Sequence, residues 1–256
     1  EKELGVSITT NGTLLTKENI QKLNQYSLKT ITVSLDGASS KSCDFVRGMG
    51  KYKLIIAGLS NMSKYYKGKF SIKSTIMKSN ISEIEDLIKL AIKLNCPSIK
   101  FNCVRQDGRA ELNCNDLMLT KKEYTDTIKL IENLKEKYHE KISIKAPLNP
   151  FCKEEYNYIA ELGFGCFAGK ESICVDPMGN VRPCTHFPDE YICGNIKKEK
   201  LEDIWCNSSI LNQFRHLKGN EECMGCDYYD KCRGGCRYRA YSAGDINGVD
   251  IYCYKS

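Results

Sequence analysis

Apolar and polar residues alternate along the first half of the chain in two different rhythms. Runs rich in β-branched residues predict strands, and segments in which apolar residues recur every three to four positions predict helices. The predicted strands cover 5–10, 30–35, 70–77 and 98–104, and the predicted helices cover 17–25 and 51–66 and begin again near 82 and 120. Repeated strand–helix units are typical of parallel α/β folds. We predict an α/β fold with part of a (β/α) barrel, whose chemistry would lie at the C-terminal ends of the strands.

Two of these helices have a predicted start signal. Ser82 is followed three residues later by Glu85, and Thr120 by Glu123, and both pairs have the pattern of a capping box. The helix over 51–66 is expected to bury one apolar face, formed by Leu54, Ile55, Leu59 and Met62.

Composition narrows the class of protein. The 256 residues include 38 basic and 32 acidic side chains, and no basic stripe interleaved with aromatic residues occurs, which argues against nucleic acid as a partner. No apolar run approaches the roughly 18 residues needed to cross a bilayer, so we expect no membrane partner. Fifteen cysteines without a signal peptide indicate a reducing cytoplasm in which thiols bind metal. Because a predicted strand begins almost at Glu1, which is not a methionine, we expect the printed chain to start within a domain.

The second half of the chain is organised around closely spaced cysteines. Their pattern is Cys223-x2-Cys226-x5-Cys232-x3-Cys236, with Cys253 after a Gly-rich and Arg-rich segment. Glycines at 234 and 235 let the backbone turn tightly, so the thiols can converge on one metal centre. Tetrahedral zinc and disulfides are the alternative interpretations. A zinc site would account for the four closely spaced thiols, but it would not account for the cysteines before and after them.

A second group of cysteines precedes this one. Cys166 is followed by Gly179 and then Cys184, within GCFAGKESICVDPMGNVRPC. Together with the later spacing, this pattern resembles the SPASM domain of radical SAM enzymes. The resemblance implies two auxiliary [4Fe-4S] clusters. It assigns Cys166, Cys184 and Cys236 to the first cluster, and Cys223, Cys226, Cys232 and Cys253 to the second.

The first cluster has only three cysteines by this assignment. Family members with four place another cysteine shortly after the first, where this chain has Gly169 or its neighbours. Cys174 is a possible substitute ligand, although its apolar surroundings predict a strand, where cysteine is more often a buried small side chain. Cys193 is a weaker candidate. The fourth iron position is otherwise expected to be open.

The first half of the chain also resembles a radical SAM barrel. The segments TTNGTLLT, VSLDG, DFVRGMG and NCVRQDGRA resemble the strand ends of its later part. The resemblance implies that the S-adenosylmethionine cofactor lies near the C-terminal ends of these strands. The implied cofactor-binding residues are Thr10, Asn11, Ser34, Arg47 and Val104, with Asp44 nearby.

The defining CxxxCxxC motif of that family does not occur in the printed chain. We therefore expect it, with a third cluster, in a missing N-terminal part, and we do not expect the printed chain by itself to generate a radical. Prolines and glycines over 145–165 break the helical pattern and predict a domain boundary near Pro147. The predicted domains are the partial barrel, residues 1–146, and the SPASM domain, residues 147–256.

The sequence predicts the reaction less directly than it predicts the fold, because one fold can host many reactions. Sulfatase-maturing members carry an aspartate base where this chain has Thr185, and a hydroxyl cannot serve as that base near neutral pH. An open iron position could instead bind a substrate thiolate. We therefore predict a peptide maturase that forms thioether or other cross-links in a ribosomally made peptide and needs a reducing electron donor. The alternatives are a haem- or quinone-cofactor maturation enzyme, suggested by CRGGCRYRAYSAGD, and a non-catalytic electron-transfer or zinc-binding module.

Overall fold

The computed structural model describes residues 4–146 and 165–253. Within this part of the chain, contacts define two compact units: residues 4–105 with 109–146, and residues 106–108 with 165–253. The predicted domain boundary at Pro147 lies outside the described residues and stays a prediction.

The first unit is built on a parallel sheet of five strands in the order β1-β2-β3-β4-β5, which confirms the predicted α/β fold. The strands are β1 (Val6–Thr10), β2 (Leu28–Ser34), β3 (Phe70–Ile76), β4 (Ser98–Cys103) and β5 (Ser143–Lys145). The helices are α1 (Lys17–Leu23), α2 (Ser40–Arg47), α3 (Lys51–Tyr65), α4 (Ile84–Lys93), α5 (Cys114–Leu117) and α6 (Lys121–Tyr138).

The two faces of this sheet differ in chemistry. One face carries the buried apolar residues Ile31, Val33, Ile72, Ile99 and Phe101. Because side chains alternate along a strand, the residues between them point to the other face. That second face is rich in hydroxyl and lysine side chains, which are half-buried on β2, β3 and β4.

Helix α3 buries a different face from the one predicted. Ile55, Leu59 and Met62 are fully buried, as expected, but Leu54 is 46% exposed. The buried face instead includes Gly58, where an added Cβ would lie 2.4 Å from the Gly12 carbonyl oxygen. Close approach of the helix to the turn after β1 therefore sets the rotation of α3.

The predicted capping box at Ser82 is wrong. A 3₁₀ turn over Ile81–Glu83 precedes α4, and no side-chain cap is formed at either start. The buried Asn80 organises this turn, since its Nδ2 donates to the carbonyl oxygens of Asp36 and Thr75 and its Oδ1 accepts from the Met77 amide. Hydrogen bonds of Asn80, rather than a cap at Ser82, therefore fix the turn that leads into α4.

The capping box at Thr120 is confirmed. The Thr120 hydroxyl accepts from the Glu123 amide, and the Glu123 carboxylate accepts from the Thr120 amide at 2.7 Å. We expect Thr120→Ala to lower the free energy of unfolding by about 1 kcal/mol, because it leaves a helix amide without its partner. Urea titration followed by circular dichroism measures this, with Thr120→Ser as the control that retains the hydroxyl. Equal stability of the alanine and serine variants would contradict the prediction.

The second unit contains a small antiparallel sheet and short helices. The strands are β6 (Cys174–Val175), β7 (Asn180–Arg182) and β8 (Gly194–Asn195), in that order. The helices are α7 (Leu201–Asn207), α8 (Ser209–His216), α9 (Glu221–Met224), α10 (Tyr229–Cys232) and α11 (Arg237–Ser242). The hairpin β6–β7 turns through Gly179, as predicted. Across the described parts of both units, none of the helices has the length and apolar character required to cross a membrane.

Candidate metal centre

The later cysteines surround one cavity in the second unit. Its volume is about 500 Å³, and Cys223, Cys226, Cys232 and Cys253 all line it. Helix α9 begins at an Asn220 cap, whose side chain accepts from the Cys223 amide and fixes the first thiol. These four residues are the ones that the sequence assigned to the second cluster.

The two glycines of the CRGGC segment have the backbone conformations that the prediction required. Gly234 and Gly235 have φ values of 84° and 74°, in the left-handed region that favours glycine. An added Cβ on Gly234 would lie 2.5 Å from Nη2 of Arg237. The tight turn ends at Cys236, which directly precedes α11. It also leaves room for the Arg237 side chain to pack against Gly234.

The cavity is larger than a zinc site requires. Zinc draws four sulfur atoms to about 2.3 Å from one point. A cavity lined by four thiols fits a group larger than one metal ion, such as an iron-sulfur cubane, whose ligands lie around its outside.

Three other cysteines share a second location in this unit. Cys166, Cys184 and Cys236 all pack against one apolar cluster, formed by Ala168, Phe187, Phe214, Leu217 and Tyr238. Burial raises the pKa of the Cys166 thiol, and the backbone amides of Ala168 and Arg237 oppose that rise. Cys236 and Cys184 are close enough to raise that pKa further. The structure thus brings together the three residues that the sequence assigned to the first cluster.

A buried cation lies between the two groups of thiols. Arg237 is 2% exposed, and its Nη1 donates to the carbonyl oxygens of Ile246 and Gly248 at 2.9 and 3.1 Å. Its Nε and Nη2 are buried without a hydrogen-bond partner among the described residues. Arg237 lowers the pKa of Cys223, against the larger effect of burial, and its amide faces Cys166. A buried guanidinium with unused donors fits the negative charge of a thiolate-ligated cluster.

Asp250 connects the two groups and was not identified from the sequence. Its carboxylate accepts from Arg239 Nε and Nη2 at 2.7 and 2.5 Å and from the Cys236 amide at 2.8 Å. It also accepts from the Tyr252 amide, next to Cys253. Burial alone would raise the pKa of Asp250, but Arg239 and these amide donors outweigh it and hold the pKa low. The only sequence signal was an aspartate three residues before the last cysteine.

Three further arginines of the cysteine-rich half differ from Arg237 in their surroundings. Arg239 pairs with Asp250, as described above, and Arg182 pairs with Asp176 and Asp189. Arg233 has a left-handed backbone, with φ of 49°. Arg182 has one buried donor, Nε, without a partner among the described residues, but its side chain is 19% exposed, whereas Arg237 is 2% exposed and has two such donors.

The position of a possible fourth ligand to the first cluster is a glycine turn. Gly169 has φ of 69°, and its carbonyl accepts from Arg215 Nε at 3.0 Å. An added Cβ would lie 3.0 Å from Phe214 Cβ. Backbone and packing at this position both favour glycine over cysteine.

The two candidate substitutes for that ligand differ. Cys174 pairs with Arg182 across the β6–β7 hairpin, and its thiol pKa is raised by burial and by the neighbouring Cys184. Cys193 instead packs against the separate apolar cluster of Val181, Ile204 and Leu211. Cys174 therefore lies near the first group, whereas Cys193 contributes to a core.

The remaining cysteines fit neither of the two cysteine patterns. Cys43 and Cys96 are buried, Cys103 is half-buried and Cys206 is exposed. The Cys114 side chain and the whole of Cys152 lie outside what the structure describes.

Histidine 186, two residues after Cys184, is held by its neighbours. Its Nδ1 is hydrogen-bonded to the Asp107 carboxylate, and its ring lies 5.2 Å from that of Tyr238. Tyr238 in turn donates to the Gln106 carbonyl at 2.8 Å. These contacts fix the ring of His186 among its neighbours.

The residues predicted to bind S-adenosylmethionine lie at the C-terminal edge of the first unit's sheet. Thr10 and Ser34 end adjacent strands, and Val104 follows β4 and donates to the Ile76 carbonyl. Asn11 and Arg47 line a cavity of about 590 Å³ at this edge. Thr10, Ser34 and Val104 do not line it, so the structure gathers the five residues at one edge but only two of them at this cavity.

Arg47 is already engaged by the protein. Its Nη2 lies 2.6 Å from the Asp36 carboxylate, which also accepts from the Thr75 amide. Burial raises the pKa of Asp36, and Arg47 opposes that rise. Asp44, predicted to lie near the ligand, accepts instead from the Gly50 and Tyr52 amides and shapes the start of α3.

Two family models match the chain. The radical SAM superfamily matches residues 1–91, and the SPASM iron-sulfur cluster-binding domain matches residues 166–227. Both matches agree with the resemblances found in the sequence. The iron-sulfur match also favours clusters over the zinc interpretation of the cysteines.

Three curated relatives align along nearly the whole chain. The AdoMet-dependent heme synthase of Methanosarcina barkeri is 30% identical, over 98% of this chain and 74% of its own length. The mycofactocin maturase MftC of Mycobacterium tuberculosis is 26% identical, over 98% of this chain and 64% of its own. The PqqA peptide cyclase of Methylocella silvestris is 27% identical, over 99% of this chain and 68% of its own. The chain thus spans about two thirds of the length of these enzymes.

A solved structure supports the fold. The structure of anSMEcpe with bound AdoMet and Kp18Cys peptide superposes with a TM-score of 0.75 at 20% identity, over 98% of this chain and 71% of that one. The interpretation as a non-catalytic module finds no support, because the matching relatives are enzymes. Motifs, fold and relatives agree that the chain belongs to the radical SAM superfamily, among the enzymes that carry a SPASM iron-sulfur domain.

Proposed function

We propose that the intact protein modifies a ribosomally made peptide, by forming a thioether or another cross-link. The observation that carries the proposal is the three-thiol group, because a cubane has four iron atoms and this group supplies ligands for three. Gly169 occupies the place where a fourth cysteine would be expected, and its left-handed backbone and close contact with Phe214 favour glycine there. The fourth iron position is then available to a thiolate of the substrate.

The ligand sets follow the sequence assignment. Cys166, Cys184 and Cys236 would hold the first auxiliary [4Fe-4S] cluster. The second would be held by Cys223, Cys226, Cys232 and Cys253. Arg237, between the two sets, would direct its unused donors to the sulfur atoms and offset their negative charge.

The remaining residues would bind and orient the reactants. S-adenosylmethionine and the clusters supply the radical that abstracts hydrogen and the acceptor for the electron released on bond formation. Thr10, Asn11, Ser34 and Val104 would contact the cofactor at the sheet edge. Arg47 would shape that edge through its ion pair with Asp36. A reducing electron donor is required as a partner.

The names of two relatives support a maturation reaction, since one is a peptide cyclase and another a mycofactocin maturase. A second candidate is haem formation, because the most identical of the relatives described above is a heme synthase. The two candidates differ in substrate, so one set of incubations separates them.

We expect the product of the complete reading frame, reconstituted without oxygen, to form 5′-deoxyadenosine from S-adenosylmethionine and a reductant. A peptide encoded beside its gene should lose two hydrogen atoms and one alkylatable thiol. One hydrogen goes to the deoxyadenosyl radical, and the other leaves as a proton while its electron goes to a cluster. Mass spectrometry of the alkylated peptide measures both losses.

Cys174→Ala serves as the matched control for the open iron position. We expect this variant to keep the iron content and the peptide product of the wild type. A drop in iron content would identify Cys174 as the fourth ligand and remove the basis for thiolate binding. Cleavage of S-adenosylmethionine with every neighbouring peptide unaltered would refute the peptide proposal, and haem appearing from a tetrapyrrole precursor would establish the second candidate.

A further inference from the structure

Three lysines form a row across the polar face of the five-stranded sheet. Lys73 on β3 pairs in register with Lys100 on β4, which pairs with Lys145 on β5. Residues in register on adjacent strands point to the same face, and neighbouring strands lie about 4.8 Å apart. The lysine row (Lys73, Lys100 and Lys145) therefore spans roughly 10 Å.

The lysine row is partly shielded from solvent. Lys73 and Lys100 are half-buried, and only Lys145 is exposed. Burial lowers the pKa of Lys100, and the charges of Lys73 and Lys145 lower it further. Three like charges at this spacing repel one another, and a bound anion would relieve that repulsion.

The acidic side chains among the described residues do little to balance these charges. None of the three lysines forms an ion pair with the acidic side chains that the structure describes. The Asp36 carboxylate is within electrostatic reach of Lys73 but is already bound by Arg47 and the Thr75 amide. The row is thus left with positive charge that neighbouring carboxylates do not neutralise.

The position of the row relates it to the reaction. Lys73 pairs in register with Ser34, one of the residues proposed to contact S-adenosylmethionine. On the same face as Lys100, the Oδ1 atom of Asn102 is buried without a hydrogen-bond partner among the described residues. An acceptor beside the cations suits a ligand that carries both a carboxylate and an N–H group, as an acidic peptide does.

We propose that the lysine row binds a carboxylate of the substrate peptide and so selects acidic peptides for modification. The inference rests on the proposed peptide-modifying function and adds to it the class of substrate. The carboxylate comes from an acidic side chain or from the peptide C-terminus, and the experiment distinguishes these two sources.

The test uses the reconstituted product of the complete reading frame and three probe peptides, each labelled with an uncharged BODIPY dye. The first is Ala-Glu-Ala-Glu-Ala with an amidated C-terminus, the second its glutamine counterpart, and the third that counterpart with a free C-terminal carboxylate. Fluorescence anisotropy should show at least one carboxylate-bearing probe binding about tenfold more tightly than the amidated glutamine probe. The first probe reports side-chain carboxylates and the third reports the C-terminal one.

Lys100→Met and Lys73→Met should each abolish most of this preference, whereas Lys100→Arg should retain it. Lys53→Met is the matched control, because it removes the same charge from an exposed position on α3. Equal binding of all three probes to the wild type would overturn the inference, as would a preference that survives both methionine variants. A Lys100→Met variant that loses affinity only for S-adenosylmethionine, measured by calorimetry, would reassign the row to that cofactor and also overturn the inference.

Failure of this inference and failure of the proposed function have different signatures. If the wild type modifies its neighbouring peptide but shows no charge preference, the inference fails and the function stands. If it modifies no peptide, the function fails whatever the probes show.

Discussion

Replacing Cys226 by alanine should lower the iron and sulfide content of the protein by about four ions of each per chain. Cys226 is one of four thiols around the 500 Å³ cavity, and each lies on a short segment whose backbone is fixed by its own hydrogen bonds. No other cysteine lines that cavity, so among the described residues the structure offers no replacement thiol there. The measurement is iron and acid-labile sulfide analysis of protein prepared without oxygen.

Cys206→Ala is the control for this loss, since Cys206 is exposed and lies outside both groups of thiols. It should keep the full iron and sulfide content. Zinc in place of iron in the wild type, or iron without sulfide, would contradict the cluster assignment. Unchanged iron content in Cys226→Ala would show that this thiol is not a ligand.

The sequence indicated which of the later thiols can meet, because short spacing along the chain brings them together. Their assignment to two clusters rests on the family resemblance and stays a prediction. Cys223, Cys226 and Cys232 lie within ten residues of one another, so a short loop suffices to bring them to one cavity. Glycines at 234 and 235 carried a further local signal, namely a need for left-handed backbone. Both signals, the cysteine spacing and the paired glycines, can be read from a few neighbouring residues.

What escaped prediction depends on residues far apart in the sequence. The rotation of α3 is set by contact between Gly58 and Gly12, which periodicity within the helix cannot report. The turn before α4 is held by Asn80 instead of a cap at Ser82, and Asn80 reaches the carbonyl of Asp36, 44 residues away. The lysine row depends on strand register, since Lys73, Lys100 and Lys145 have no recognisable spacing.

Asp250 is the second position at which we expect a large effect. Its carboxylate is 1% exposed and binds Arg239, whose side chain is 9% exposed. Breaking a buried ion pair by removing one partner typically costs about 3–5 kcal/mol, because the other charge stays buried without its counterion. The same carboxylate also holds the amides of Cys236 and Tyr252. Loss of Asp250 therefore disturbs both groups of thiols at once.

Asp250→Ala should accordingly lower the thermal unfolding midpoint of the second unit and reduce iron binding at both groups of cysteines. Asp250→Asn retains the size and one acceptor oxygen, so we expect an intermediate iron content and an intermediate midpoint. Asp203→Asn, at an exposed position on α7, is the matched control for loss of one negative charge and should resemble the wild type. If Asp250→Ala lost iron from the second group alone, with Cys166, Cys184 and Cys236 still binding a cluster, the carboxylate would not couple the two groups. Iron analysis in a Cys226→Ala background, where only the first group remains, distinguishes that outcome from loss at both.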